Sequence, residues 1–444
     1  MAVRPMVASG GRPHVKRVVI LFISLFAFRL TFGLLHSSWT DVDERQTYLI
    51  GLKAYTTGTW PYFGPDVNGA EGDFESQIPG ALEGVMIAAP LYVLPIPEAP
   101  FILLNLMSTA AVLLLAWYIC KRLPQLSFGW LSVWIAAAPW SLHLGTHIYG
   151  PDYIFLPSVL FVIGFMESVP AFRLGVIGGR LANALMGLSL FWVMQFHFSY
   201  VYLVPLAMVA VVSQGRAWWS GAAFFAAGAA FPLAFLVPTL VKYGLASNNV
   251  ASGFAVPFNW DNVAAFPTIL ARFLSMVSFE LPRFLGNDSH HRLAFLREHW
   301  LLAVPAIALG LIGVIQPFVL LAGWFMRSIT GPGWRPLRWL VVFALVMAEV
   351  SFWFTIKRPL SHIYFVFFPL LMVYACYCWA HFAERTAWRM LAKIFVVTSV
   401  VFQLGYAVAA AHESSLYMDR ATVLKAIQER DYRLLGERRT HSRY

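Results

Sequence analysis

The stretch from Thr40 to Ala54, TDVDERQTYLIGLKA, places the carboxylates Asp41, Asp43 and Glu44 directly after the first long apolar run of a chain otherwise poor in charge. A carboxylate at such a boundary is partly desolvated, which lifts its pKa toward the working range of a general base. Asp43 and Glu44 are where that chemistry would rest. The same letters also suit a plain helix start, with Thr40 or Asp41 as N-cap, Glu44 as capping-box partner and Asp43 favourable near the positive end of the helix dipole.

Other residues with chemical potential stand beside later apolar runs. Asp152 follows YGP at the start of one run, where an ionisable group is costly without a partner or a role, although Pro151-Asp152 is also a good helix start. His197 closes another run in QFHFSY, either as a ligand or as a histidine packed between helices. IKRPLSHIYF brings Lys357, Arg358, His362 and Tyr364 together before a third run. Cations there suit a leaving phosphate, and they equally suit interfacial anchors that snorkel outward. NDSHHR holds His290, His291 and Arg292, which could touch a donor but need no function to be polar. Glu83 and Glu349 are acids inside apolar runs, to be explained by a nearby boundary or by pairing with Arg29 or another helix.

The elements that must position these residues are membrane helices. Of 444 residues, 59% are hydrophobic, 16% aromatic and 12% charged; a soluble chain has about twice that charged fraction. The apolar runs are continuous, without the alternation of a membrane barrel, so the fold class is an all-α polytopic membrane protein. Spans are read near Val18 to Leu35, Phe101 to Cys120, Phe128 to Leu142, Tyr153 to Glu167, Leu181 to Gln195, Tyr200 to Val212, Trp219 to Val241, Trp300 to Phe325, Trp339 to Ile356, Ile363 to Ala380 and Ile394 to Ala410. That makes about eleven, with Gly80 to Leu94 either an interfacial helix or a twelfth. Apolar residues Tyr48, Leu49, Leu52 and Tyr55 have helical spacing and Gly58 is a natural stop, which predicts a helix lying on the membrane surface.

The net charge of +10 comes from short Lys and Arg clusters between the runs. Lys121/Arg122, Arg173/Arg180, Arg216, Arg327/Arg335/Arg338 and Arg385/Arg389/Lys393 all fall on the side of the basic N-terminus, as the positive-inside rule requires, so nucleic acid is not the expected partner. The expected transmembrane unit covers 1–410, with outer loops over 36–79 and 242–299, the second holding an amphipathic stretch around Ile269 to Phe279. A basic tail over 411–444 falls outside by the span count, which long tails tolerate. No small-residue cleavage site follows the first run, so it reads as a retained span, with the mature chain beginning near Met1. Cys120, Cys376 and Cys378 lack metal-type spacing and read as packing residues.

The Asp-Glu pair followed by a helix, then GTWPYFGPDVNG and QIPGAL, resembles the C superfamily of membrane glycosyltransferases (GT-C), in particular bacterial members that use a polyprenyl-phosphate sugar donor. Relatives of that kind include the protein mannosyltransferases and the lipid A aminoarabinose transferase. The resemblance covers about 150 N-terminal residues and, through layout and HIYF alone, the later part. It implies a multi-pass protein of the bacterial inner membrane with a periplasmic active site. Asp43 would be the general base of an inverting transfer from a polyprenyl-phosphate-linked sugar to a cell-envelope glycan, lipid or protein. Glu44 would orient the base or a metal, Asp152 would line the acceptor or metal region, and Lys357, Arg358, His362 and Tyr364 would face the donor phosphate. A divalent metal is left open and no other cofactor is implied. Where the aminoarabinose enzyme has Lys-Pro-Pro, this chain has Gln77, Ile78, Pro79 and Gly80, and the large C-terminal domain of that family is reduced to a tail.

Two other classes compete. A ligase or polymerase using a lipid pyrophosphate would favour more arginines in the outer loops, and a lipid or solute transporter would show midplane charges and inverted repeats. The Gly-rich phosphate loops of nucleotide-binding enzymes are absent from the sequence.

Overall fold

The computed structural model describes residues 15–36, 42–66, 77–244, 258–278, 289–355, 359–411 and 416–435, without the side chains of 42, 43, 66 and 416–419. The protein is an all-α polytopic membrane protein. Seven helical stretches among these residues are long and apolar enough to cross a bilayer. They contain α1 (Val15–His36), α4 (Ala99–Arg122), α7 (Phe155–Ser168, preceded by the 3-10 turn Gly150–Ile154), α10 (Trp218–Tyr243), α14 (Ala303–Phe325), α16 (Phe368–Phe382, preceded by the 3-10 turn Ser361–Phe367) and α17 (Thr386–Ala410). Burial separates them. α7 and α16 are almost wholly enclosed, whereas α10 and α14 present Phe231, Val241, Ile307 and Phe318 outward, as only a lipid environment makes favourable.

The remaining expected spans are shorter or more polar. α5 (Phe128–Ala137) breaks at Ala138 before Pro139 and continues as α6 (Pro139–His143), because proline removes a donor and its ring clashes with the preceding turn. α8 (Gly179–Met194) and α9 (Tyr200–Val212) have 16 and 13 residues. The helix expected over Trp339 to Ile356 instead runs as α15 (Trp334–Phe352), taking in Arg335 and Arg338, and α17 begins at Thr386 rather than Ile394. Gly80 to Leu94 becomes α3 (Leu82–Val93), whose 12 residues reach about 18 Å, too short to cross.

The chain direction alternates through the bundle. The C-terminal ends of α1, α6, α8, α10, α15 and α17 and the N-terminal ends of α4, α7, α9, α14 and α16 gather at one end with α2 (Val42–Thr57). α2 packs along α3, burying Tyr48, Leu49, Leu52 and Tyr55, and stops where Gly58 turns at φ 68°. Between α2 and α3 lies an unexpected antiparallel hairpin, β1 (Phe63–Asp66) with β2 (Gln77–Pro79), registered Phe63 to Pro79 and Asp66 to Gln77. Thr239 Oγ1 donates to the Tyr62 carbonyl at 2.7 Å and ties the hairpin's start to α10. α11 (Trp260–Ala264), α12 (Phe266–Ser275) and α13 (Ser289–Glu298) belong to the same end, where Asn262 Nδ2 donates to the Phe352 carbonyl at 2.9 Å and Phe295 packs on Tyr406. The amphipathic stretch stops at Ser275, earlier than Phe279, as Met276 and Val277 turn with positive φ. The described part of the tail packs against the bundle. It forms α18 (Leu416–Glu429), where Arg420 Nε meets Glu98 Oε1 at 2.5 Å beside the start of α4, and the Leu435 carbonyl accepts from Arg45 of α2.

The far end is held by a buried clamp. Arg122 Nη2 stands 3.8 Å from Glu167 Oε1, and Tyr118 donates to the same oxygen at 2.8 Å. Glu167 also accepts the backbone N–H groups of Leu174, Gly175 and Val176, and Arg122 donates to the carbonyls of Phe172 and Pro332. At the α8–α10 crossing, Gly187 and Gly228 let the backbones touch; a Cβ at either would overlap the carbonyl of Phe225 or Ala184.

Candidate functional site

The 3-10 turn Gly150–Ile154 is the hub of the α2 end. Pro151 is its second residue, and Asp152, 1% exposed, folds the preceding loop back onto it: Oδ2 accepts the backbone N–H of Thr146 at 3.1 Å and of His147 at 2.7 Å. The loop is fixed from the other side by Arg29 of α1. Its guanidinium donates to the carbonyls of Ala136, Ser141 and Gly145 at 2.8–3.0 Å and to Ser108 Oγ at 3.2 Å, which also satisfies carbonyls released by the α5–α6 break. Of the alternatives for the two acids, a pairing with Arg29 is not among that residue's hydrogen bonds, which go to backbone carbonyls and serine hydroxyls, while Glu349 Oε1 accepts from Trp353 Nε1 at 3.0 Å. Asp152 Oδ1 is buried and takes no hydrogen bond from the described residues.

A second acid stands beside the turn. Glu83, in the first turn of α3, is fully buried with neither oxygen hydrogen-bonded by the described residues. Two glycines make room for it: a Cβ at Gly150 would lie 3.2 Å from Oε1, and one at Gly64 2.9 Å from Oε2. Tyr153, stacked on Phe196 at 5.3 Å between centroids, likewise has a buried hydroxyl with no such partner. Burial raises the Glu83 carboxyl well above the ordinary carboxylate range, so it is held as the neutral acid.

A histidine chain completes the hub. His36, the last residue of α1, shares hydrogen bonds with His147 Nε2 through Nδ1 at 2.9 Å and with Tyr406 Oη through Nε2 at 3.1 Å. The His143 ring sits edge-on to His36 at 5.3 Å, and His147 Nδ1 is 3.7 Å from Asp152 Oδ2. Burial first, and then the neighbouring His36, keep the His147 ring neutral by lowering its pKa well below the usual value. Sequence reasoning missed His36, His143 and His147. The available signal was a histidine ending the first span and the H-x-x-x-H spacing of HLGTH, which sets two rings on one side of a turn.

The other expected site residues divide. His197 and His362 do meet, with ring centroids 5.7 Å apart, and Tyr149 from the Asp152 loop stands edge-on to His362 at 5.8 Å. Glu44 is half-buried on the first turn of α2. The backbone of Asp43 is on that same turn, while its side chain, together with Lys357 and Arg358, lies outside the described residues. Tyr364 is 0% exposed and packed by Trp140, Phe273 and Phe352, so it lies in the core rather than at the boundary. His290 and His291 are exposed and Arg292 half-buried on α13, on the outside of the α2 end. Among the described residues no group of three or more His, Cys, Asp or Glu side chains is arranged to hold a metal ion.

Chemically, the α2 end offers a carboxylate oriented by two amides with one oxygen unengaged by the described residues, a neutral buried acid, and imidazoles joined to a phenol. Such a set can orient hydroxyls and pass protons without exposing charge to lipid. No protein-family model matches the sequence, and no curated protein matches it.

Proposed function

We propose that the chain is an inverting, GT-C-type glycosyltransferase of the inner membrane, crossing it eleven times and working at the α2 end, on the periplasmic side. The observation that carries this reading is Asp152, fixed by the Thr146 and His147 amides with Oδ1 unengaged by the described residues, at the same bundle end as the helix whose first turn carries Asp43 and Glu44. In the reaction, the Asp43 carboxylate takes the proton of an acceptor hydroxyl while Asp152 orients that hydroxyl. The acceptor oxygen attacks the anomeric carbon from the side opposite the donor phosphate. The carbon–oxygen bond to phosphate breaks, and its electron pair leaves on polyprenyl phosphate. Lys357 and Arg358, with the His362–His197 pair, receive that charge, as preorganised donors do in other transfers. A lipid-borne donor explains why the chemistry would sit at a membrane boundary.

A second reading, a proton-coupled transporter, is favoured by one observation: the fully buried Glu83, an acid of the kind found in proton pathways. One experiment separates the two. Purified protein is given polyprenyl-phosphate sugars and envelope acceptors, and in parallel is reconstituted into vesicles under an imposed pH gradient. Glycosyl product of inverted anomeric configuration supports the transferase. Proton flux coupled to solute uptake, with no product, supports the transporter and overturns the proposal.

A further inference from the structure

Away from the α2 end, an apolar groove of about 480 Å³ opens between α5, α14, α16 and α17. Its rim at the far end carries Arg389 and Lys393, exposed one turn apart on α17, with the Lys393 ammonium over the Trp130 ring at 5.8 Å. Glu384 is the one carboxylate among the described residues lining it, so the rim is net positive. The same face of α17 lines the groove from Arg389 to Ser399. The ten steps between them rise about 15 Å, half of a ~30 Å hydrocarbon core. Trp379 also lines the wall.

We propose that this groove seats one acyl chain of an anionic membrane phospholipid, with the phosphate at Arg389 and Lys393. The apolar walls, one leaflet deep, select an acyl chain over a soluble anion. The cationic rim selects an anionic head group over a zwitterionic one. The site is separate from the chemistry proposed at the α2 end.

The test uses the full chain in nanodiscs with equal phosphatidylglycerol and phosphatidylcholine, released for native mass spectrometry. Wild type retains one phosphatidylglycerol in preference. Arg389→Ala with Lys393→Ala, both at exposed positions, lowers that preference by about thirty-fold, the effect of removing two cations from an anionic head group. Ala392→Trp fills the groove with the charges intact and lowers retention of both lipids. Equal retention by wild type, an unchanged preference in the double variant, or preferential retention of a polyprenyl phosphate offered in equal amount overturns the assignment.

Discussion

Glu83→Gln removes one ionisable group from the α2 end while keeping its shape. In the folded protein burial holds the Glu83 carboxyl protonated well above its ordinary range, whereas in an unfolded chain it ionises near pH 4.3. Above that pH the folded state therefore binds one proton more than the unfolded state, and stability falls as pH rises until the folded-state pKa is passed. The slope is about 1.4 kcal/mol per pH unit for one proton over the range in which the folded-state acid keeps its proton. Glutamine carries no such proton, so the variant becomes progressively more stable relative to wild type as pH rises. Equilibrium unfolding of both proteins in mixed micelles across that range measures the difference. Infrared spectroscopy adds a direct reading, a neutral-pH carboxyl carbonyl band present in wild type and missing from the variant. A stability difference that stays flat with pH, or no such band, would refute the neutral buried acid.

Asp152→Ala leaves the buried N–H groups of Thr146 and His147 without their acceptor and should cost about 2–5 kcal/mol in the same unfolding assay, while Asp152→Asn, which keeps a carbonyl oxygen there, should cost far less. Glu167→Ala strands the Arg122 guanidinium at the far end and should cost about 3–5 kcal/mol, seen as a lowered unfolding midpoint that Glu167→Gln partly restores. Gly187→Leu forces α8 off α10, because even its Cβ overlaps the Phe225 carbonyl; the variant should lose well over 1 kcal/mol and become readily cleaved by added protease.

The bundle was legible because membrane helices need long unbroken apolar runs, and such runs announce themselves without any knowledge of partners. Local punctuation was legible too: Gly58 ends α2, and Pro151-Asp152 opens the turn before α7. What escaped depends on pairing across the chain. The His36 bridge joins residues 111 and 370 positions away, and no local spacing encodes it. Tyr364 looked like a boundary residue because it follows Lys357, Arg358 and His362. The backbone breaks from helical geometry at Tyr364 itself, with φ −110° and ψ 16°, and the ring turns into the core. Glu83 was recognised as costly, but the space that Gly64 and Gly150 leave for its carboxyl comes from segments remote in sequence. The docking of α18 through Arg420 and Glu98 joins residues 322 apart, so the tail read as an appendage.

The glycosyl-transfer account stands or falls on Asp43. Purified Asp43→Asn protein, compared with wild type for release of polyprenyl phosphate from a polyprenyl-phosphate sugar in the presence of acceptor, should lose turnover by at least about a hundredfold while binding donor as tightly as wild type. Undiminished turnover in the asparagine variant would contradict the account.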